Sequence, residues 1–229
     1  MQASDVMGVN VVTVRPESSV QQAAAVMLEK GISGLPVVDK NDQLLGIVSE
    51  GDLMRRADCG TGRDHSWWLR LLMGRDGLAR EYVREHARKV EDVMTRAVIT
   101  ASPSTSLGEI ADLLERNRIK RVPIIENDRL VGVVSRANIV QAVASCLRSD
   151  HVTNQTDAML RETILAKLKS EPWAQVALIN VTVNEGTADL WGLAQSDAQK
   201  EAFRVAAEAT PGIKAVNNNL LVREVASTA

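Results

Sequence analysis

The chain has 229 residues, enough for two domains of ordinary size or for one domain beside a pair of half-sized repeats. With 45% hydrophobic and 24% charged residues its composition is globular, neither disordered nor fibrous. A net charge of −2 argues against a general nucleic-acid role, and no apolar run reaches the ~18 residues of a membrane span. Aromatic residues make up only 3%, so the cores must be built from Val, Ile, Leu, Ala and Met. Cys59 and Cys146 have neither a CxxC spacing nor a His-rich neighbourhood, which predicts free thiols and no metal site. The N-terminus lacks a basic segment followed by an apolar one, so a cytoplasmic location is expected.

In chain order, Asp5-Val6-Met7 opens a first unit and Asp92-Val93-Met94 a second, and two copies then run in register at an offset of 87 residues. Val11–Val14 matches Val98–Ala101 as a short strand, and Pro16 matches Pro103 ahead of a helix. Ser19 with Gln22, and Ser106 with Glu109, have the spacing of a capping box. The apolar faces predicted for these helices are Val20, Ala23, Ala24, Met27 and Leu28 in one copy, and Leu107, Ile110, Ala111 and Leu114 in the other. Ile32–Asp39 then matches Ile119–Glu126 as a strand entered through Pro36 or Pro123. Asn41-Asp42 and Asn127-Asp128 supply the turns, the second one residue shorter.

The third strand of each copy ends in the stretch that carries chemistry: Gly46-Ile47-Val48-Ser49-Glu50-Gly51-Asp52, echoed by Gly132-Val133-Val134-Ser135-Arg136-Ala137-Asn138. A strand that delivers a hydroxyl and, three residues on, a small polar side chain to a helix start can meet an anion with unpaired N–H groups and a sugar with the side-chain oxygen. A helix cap without any ligand would use the same residue types, contributing about 1 kcal/mol.

On these residues, 1–147 resemble paired CBS domains, the modules named after cystathionine β-synthase. The two Ile-x-x-Leu/Val-Pro strands and the two Gly-h-Val-Ser-x-x-Asp/Asn turns carry the resemblance. It implies an α/β (α+β) fold of two βαββα repeats packed as one module, 1–57 and 92–147, that senses an adenosine nucleotide and is not an enzyme. Carried over residue by residue, it implies a first cleft of Ser49 and Asp52 with Ile99, Ile119, Lys120 and Arg121. The second would join Ser135 and Asn138 with Val12, Ile32 and Ser33, and Arg136 would reach a phosphate from its own turn. The ligand would be AMP, ADP, ATP or S-adenosylmethionine, with no cofactor. Because Asn138 stands where the first copy has a carboxylate, the first cleft is expected to fill first.

Residues 58–91 form a basic connector, in which Trp67-Trp68-Leu69-Arg70-Leu71-Leu72 reads as an amphipathic turn or two, broken near Gly74 and Gly77. A polar linker, 148–155, leads into a smaller domain at 156–224. There Leu160, Ile164 and Leu168 form a helical stripe, Val176–Val183 and Ala188–Leu193 read as strands, Ala202, Val205, Ala206 and Ala209 as a helix face, and Val216–Val222 as a closing strand. This αββαβ order, with Leu190-Trp191-Gly192 and Thr210–Asn217, resembles a BON domain, a bacterial module associated with phospholipid surfaces. The resemblance implies a phospholipid or protein partner and peripheral contact with the inner membrane. A homodimer through the CBS helices is expected from Leu53, Met54, Ala142 and Val143. His65, His86 and His151 lie in connector or linker without the partners of a catalytic site. The competing expectation is a structural adaptor with degenerate clefts.

Overall fold

The first copy runs α1 (Ala3–Val6), α2 (Val20–Lys30), β1 (Gly34–Val38), β2 (Leu44–Ser49) and α3 (Glu50–Leu53). The second runs α4 (Val90–Val93), α5 (Leu107–Arg116), β3 (Arg121–Glu126), β4 (Arg129–Ser135) and α6 (Arg136–Cys146). A further domain follows with α7 (Gln155–Ser170), β5 (Ile179–Asn184), β6 (Thr187–Ala194), α8 (Asp197–Glu208) and β7 (Ala215–Val222). The computed structural model describes residues 1–54, 79, 82, 83, 85–146 and 155–223, so the expectations for Cys59, His65, Trp67, Trp68, His151 and most of the connector and linker lie outside it.

The capping boxes start both long helices. Ser19 Oγ accepts from the Gln22 N–H at 3.0 Å while Gln22 Oε1 accepts from the Ser19 N–H at 2.8 Å. Ser106 and Glu109 repeat this at 3.2 and 3.0 Å. The inward faces are Val20, Ala23 and Met27, and Ile110 and Leu114. Leu28, expected inside, is 78% exposed, because it lies one position past the i, i+3, i+7 stripe.

The strands expected at Val11–Val14 and Val98–Ala101 shrink to single parallel bridges, Val14 to Val37 and Ala101 to Ile124. Proline is the cause. Val14 N–H donates to Pro36 O, and Val38 N–H donates to Val14 O, each at 3.0 Å. The next rung toward the N-terminus would need an N–H at Pro36 to meet the Val12 carbonyl, and proline has none. Pro123 stops the ladder in the same way before Ile99, after Ala101 N–H donates to Pro123 O at 3.1 Å.

The chain forms two compact units, and their composition shows an exchange: Met1–Val11 belongs with Ile99–Glu126 and Val131–Ala229, while Val12–Val98 with Asn127–Leu130 forms the other. The opening turn of each copy therefore packs on the other copy's strands. Ala3 and Ser4 N–H donate to Thr105 and Pro103 carbonyls at 2.8 and 2.9 Å, and Gly8 and Val133 exchange two backbone bonds. In the other unit Val90 and Glu91 N–H donate to Ser18 and Pro16 carbonyls at 2.9 and 3.0 Å, and Ile47 and Thr95 exchange two more. Gly46 and Gly132 permit this approach: a Cβ on Gly46 would come within 2.7 Å of Met94 Sδ, and one on Gly132 within 2.5 Å of Met7 Sδ.

The C-terminal domain has strand order β5-β6-β7, with β5–β6 antiparallel and β6–β7 parallel across α8. Ile164, Leu165 and Leu168 of α7 and Phe203, Ala206 and Ala207 of α8 cover Ile179, Val181 and Val183. Two expectations are corrected. The α8 face is centred on Phe203 rather than on Val205, which is 48% exposed, and Val176–Leu178 is a 3-10 turn, so the strand begins at Ile179. This domain shares a unit with the second copy. Arg161 of α7 is 7% exposed and donates to the Val181, Ser4 and Met7 carbonyls at 2.7, 2.9 and 2.6 Å. Burial brings its pKa down to about 10, opposed by the charge of Asp5, so it remains a cation at neutral pH. Among the described residues no helix is long and apolar enough to cross a membrane.

Candidate functional site

In the first copy, β2 ends at Ser49, whose side chain and that of Asp52 are half-buried. Ser49 N–H and Oγ–H both donate to Asp52 Oδ2, at 2.8 and 2.7 Å. The second copy builds the same turn after β4, where Ser135 N–H and Oγ–H donate to Asn138 Oδ1 at 2.8 and 2.7 Å. One oxygen of residue 52 or 138 is used identically in both. The other atom differs: Asp52 presents a second carboxylate oxygen, an acceptor, whereas Asn138 presents an amide donor.

Each turn lies on the pre-proline loop of its own copy. Glu50 N–H donates to Ser33 O at 3.2 Å, which brings Ser33 and Ile32 beside Ser49 and Asp52. Arg136 N–H donates to Lys120 O and its Nε to Ile119 O, each at 3.2 Å, which brings Ile119, Lys120 and Arg136 beside Ser135 and Asn138. The expected grouping paired each turn with the other copy's loop and did not include these neighbourhoods. Val12 and Ile32 pack against the first copy's core, and Ile119 against the second's. Ile99 and Arg121 are half-buried, Ile99 two residues before the Ala101 bridge and Arg121 at the start of β3.

The prolines add something the spacing alone did not reveal. By ending the parallel ladder, Pro36 and Pro123 leave the Val12 and Ile99 carbonyls without that rung beside the loops that carry Ser33 and Lys120. Matched Pro positions in two copies were the available signal. The flanking charge also differs, since Arg118, Lys120, Arg121 and Arg136 belong to the second copy's loop and turn, whereas the first copy's turn carries Glu50 and Asp52. His86 is exposed and stacked on Tyr82 at 4.1 Å, away from either turn in the chain. Among the described residues no group of three or more His, Cys, Asp or Glu could hold a metal ion.

Comparison with known proteins agrees with the two repeats and the domain that follows them. The family model for the CBS domain matches residues 3–58 and 90–145, and that for the BON domain matches 156–224. The chloroplastic CBS domain-containing protein CBSX2 of Arabidopsis thaliana is 31% identical over 150 residues, which cover 61% of this chain and 61% of that protein. An inosine-5'-monophosphate dehydrogenase of Methanocaldococcus jannaschii is 30% identical over 140 residues, 61% of this chain but only 23% of that enzyme. The chain thus matches about three fifths of the first relative's length and under a quarter of the second's. The crystal structure of CBSX2 in complex with AMP superposes with a TM-score of 0.55 at 30% identity, covering 63% of this chain and 97% of that one. The chain belongs to the CBS-domain family, as a pair of CBS domains followed by a BON domain.

Proposed function

We propose that this protein is a non-enzymatic sensor that binds an adenosine nucleotide through its CBS turns and passes the bound state to a partner through its BON domain. The observation that carries the reading is the duplicated Ser-x-x-Asp/Asn turn, set in each copy on a pre-proline loop whose proline withholds the next ladder bond. A ribose hydroxyl can donate to the second oxygen of Asp52, and the Ser hydroxyls and turn N–H groups can meet phosphate. The Val12 and Ile99 carbonyls suit the exocyclic amine of adenine. The binding of AMP by the similar CBSX2 supports the same ligand class.

Self-association through exposed apolar positions and a phospholipid or protein partner for the BON domain complete the proposal. Met54 is 62% and Val143 52% exposed, whereas Ala142 is only 2% exposed in the second copy's core and is not available. The adaptor reading has one observation in its favour, since in both turns the Ser N–H and hydroxyl are already met within the turn by Asp52 or Asn138. Thermal melting with and without AMP separates the two. A ligand at 100 times its Kd should add about 2.7 kcal/mol of stability. A melt that millimolar AMP, ATP and S-adenosylmethionine all leave unmoved would favour the adaptor.

A further inference from the structure

α6 presents three different sides. Ala142 enters the core of the second copy, Val140 and Val143 face solvent, and Gln141 and Ser145 face β5 of the C-terminal domain. Gln141 Oε1 accepts from Asn180 Nδ2 at 3.0 Å and also from Asn138 Nδ2 at 3.5 Å. Ser145 Oγ lies 3.2 Å from Thr182 Oγ1. The side chain that closes the second turn is therefore two hydrogen bonds from the C-terminal sheet. A carboxylate at that position, as in the first copy, has no N–H to give, so the link depends on residue 138 being Asn.

The contact has the character of one that opens. Its members here are an amide pair and two hydroxyls rather than interlocked apolar side chains. Asn180 is 7% exposed, and its Oδ1 has no hydrogen-bond partner among the described residues, an acceptor that water would satisfy on opening. The Arg161 clamp on the Ser4 and Met7 carbonyls is a separate attachment of the same domain.

Resting on the nucleotide reading above, we propose that the Asn138–Gln141–Asn180 chain couples occupancy of the second turn to docking of the C-terminal domain. Asn138 Oδ1 already accepts twice from Ser135, so a ribose hydroxyl that engages this residue does so at Nδ2, and turning the amide toward the ligand competes with its 3.5 Å bond to Gln141. Gln141 then loses one of the two donors that fix its amide, and its hold on Asn180 loosens. Arg161 keeps the domain attached, so the change is a local release. The linkage is reciprocal: the docked domain weakens ligand binding at this turn by the factor by which the ligand weakens docking.

Hydrogen exchange on the full chain with and without AMP, with binding followed by calorimetry on the same samples, tests this. In the wild type, AMP should raise exchange of the Ile179–Asn184 and Arg136–Cys146 amides about fivefold, the lower end of ordinary site-to-site coupling. Gln141→Leu should abolish that response while AMP still binds. Asn180→Ala breaks the same chain from the C-terminal side and should do likewise, so one misfolded variant leaves the other to decide. AMP that by calorimetry fills both turns of the wild type without changing these amides, or a response that survives both substitutions, overturns the coupling and spares the nucleotide reading. Absence of AMP binding by the wild type overturns both.

Discussion

The two copies share a backbone and the Ser that heads each turn, and differ in the charge around it. The first has Gly31, Ser33, Gly34, Glu50 and Asp52; the matched positions of the second hold Arg118, Lys120, Arg121, Arg136 and Asn138. What is common is the frame: the capped helix, the proline that ends the ladder, and a glycine that admits the exchanged opening turn. What diverges is charge. The acidic first turn suits donors such as a sugar diol, and the cationic second suits phosphate, so the pair reads as two halves of unequal chemistry on one skeleton. Gly31 has φ 65, and the matching Arg118 adopts φ 52, a left-handed conformation that costs an L-residue about 1–2 kcal/mol. Arg118 thus ends its helix in the left-handed turn that a glycine serves in the first copy.

The largest expected break in the comparison comes from Arg161, because only the second copy carries the C-terminal domain. Arg161→Ala leaves three carbonyls unmet and should cost about 3 kcal/mol or more in thermal melting. Exchange should rise in α1 and β5 and stay unchanged in α2 and β1; loosening of α2 to the same degree would show that the clamp does not act on one copy. Next come the glycines. Gly46→Val and Gly132→Val should each cost about 2–3 kcal/mol by driving a side chain into Met94 or Met7. Gly132→Val should be the worse, since Met7 O is also an acceptor for Arg161. Equal costs would separate the exchanged turn from the clamp.

Smaller effects sharpen the contrast at the turns. Arg118→Gly should raise stability by up to about 1 kcal/mol, relief of the left-handed Arg less the added freedom of the unfolded chain. It should also weaken ATP more than adenosine; equal loss of both would deny it a phosphate role. Least of all is the cap. Ser106 hydrogen bonds hold the Glu109 carboxyl below its ordinary value of 4.5, so its stabilising contribution is present above that pH and fades as pH falls below it. Ser106→Ala should bring the Glu109 titration, followed by NMR, back up toward 4.5 and remove this part of the acid sensitivity.

Local signals made much of this legible. Ser-x-x-Gln/Glu spacing marks both helix starts, and the repeated Ser-x-x-Asp/Asn turn marks the candidate site, because these devices are closed within four residues. Long-range pairing was less visible. Asp5-Val6-Met7 and Asp92-Val93-Met94 announced a repeat, but a single helical turn carries no periodicity to say which copy it packs on. Lone strand glycines at matched positions, Gly46 and Gly132, were the clue to a close approach. Arg161 reads as a surface residue of an amphipathic helix, and its burial follows from carbonyls 154 and 157 positions away in the chain. Phe203 was missed because the Ala-rich pattern around it fits more than one helix face, and the bulkiest side chain decides which face turns inward.

Calorimetric titration of the wild type, Asp52→Ala and Asn138→Ala with AMP tests the inequality of the two turns most directly. The carboxylate at Asp52 can accept from ribose with its second oxygen, while Asn138 offers a donor already directed at Gln141. Asp52→Ala should therefore weaken the tighter binding event at least tenfold, about 1.4 kcal/mol, with Asn138→Ala changing it little. A tight event indifferent to Asp52 and lost in Asn138→Ala would contradict the account.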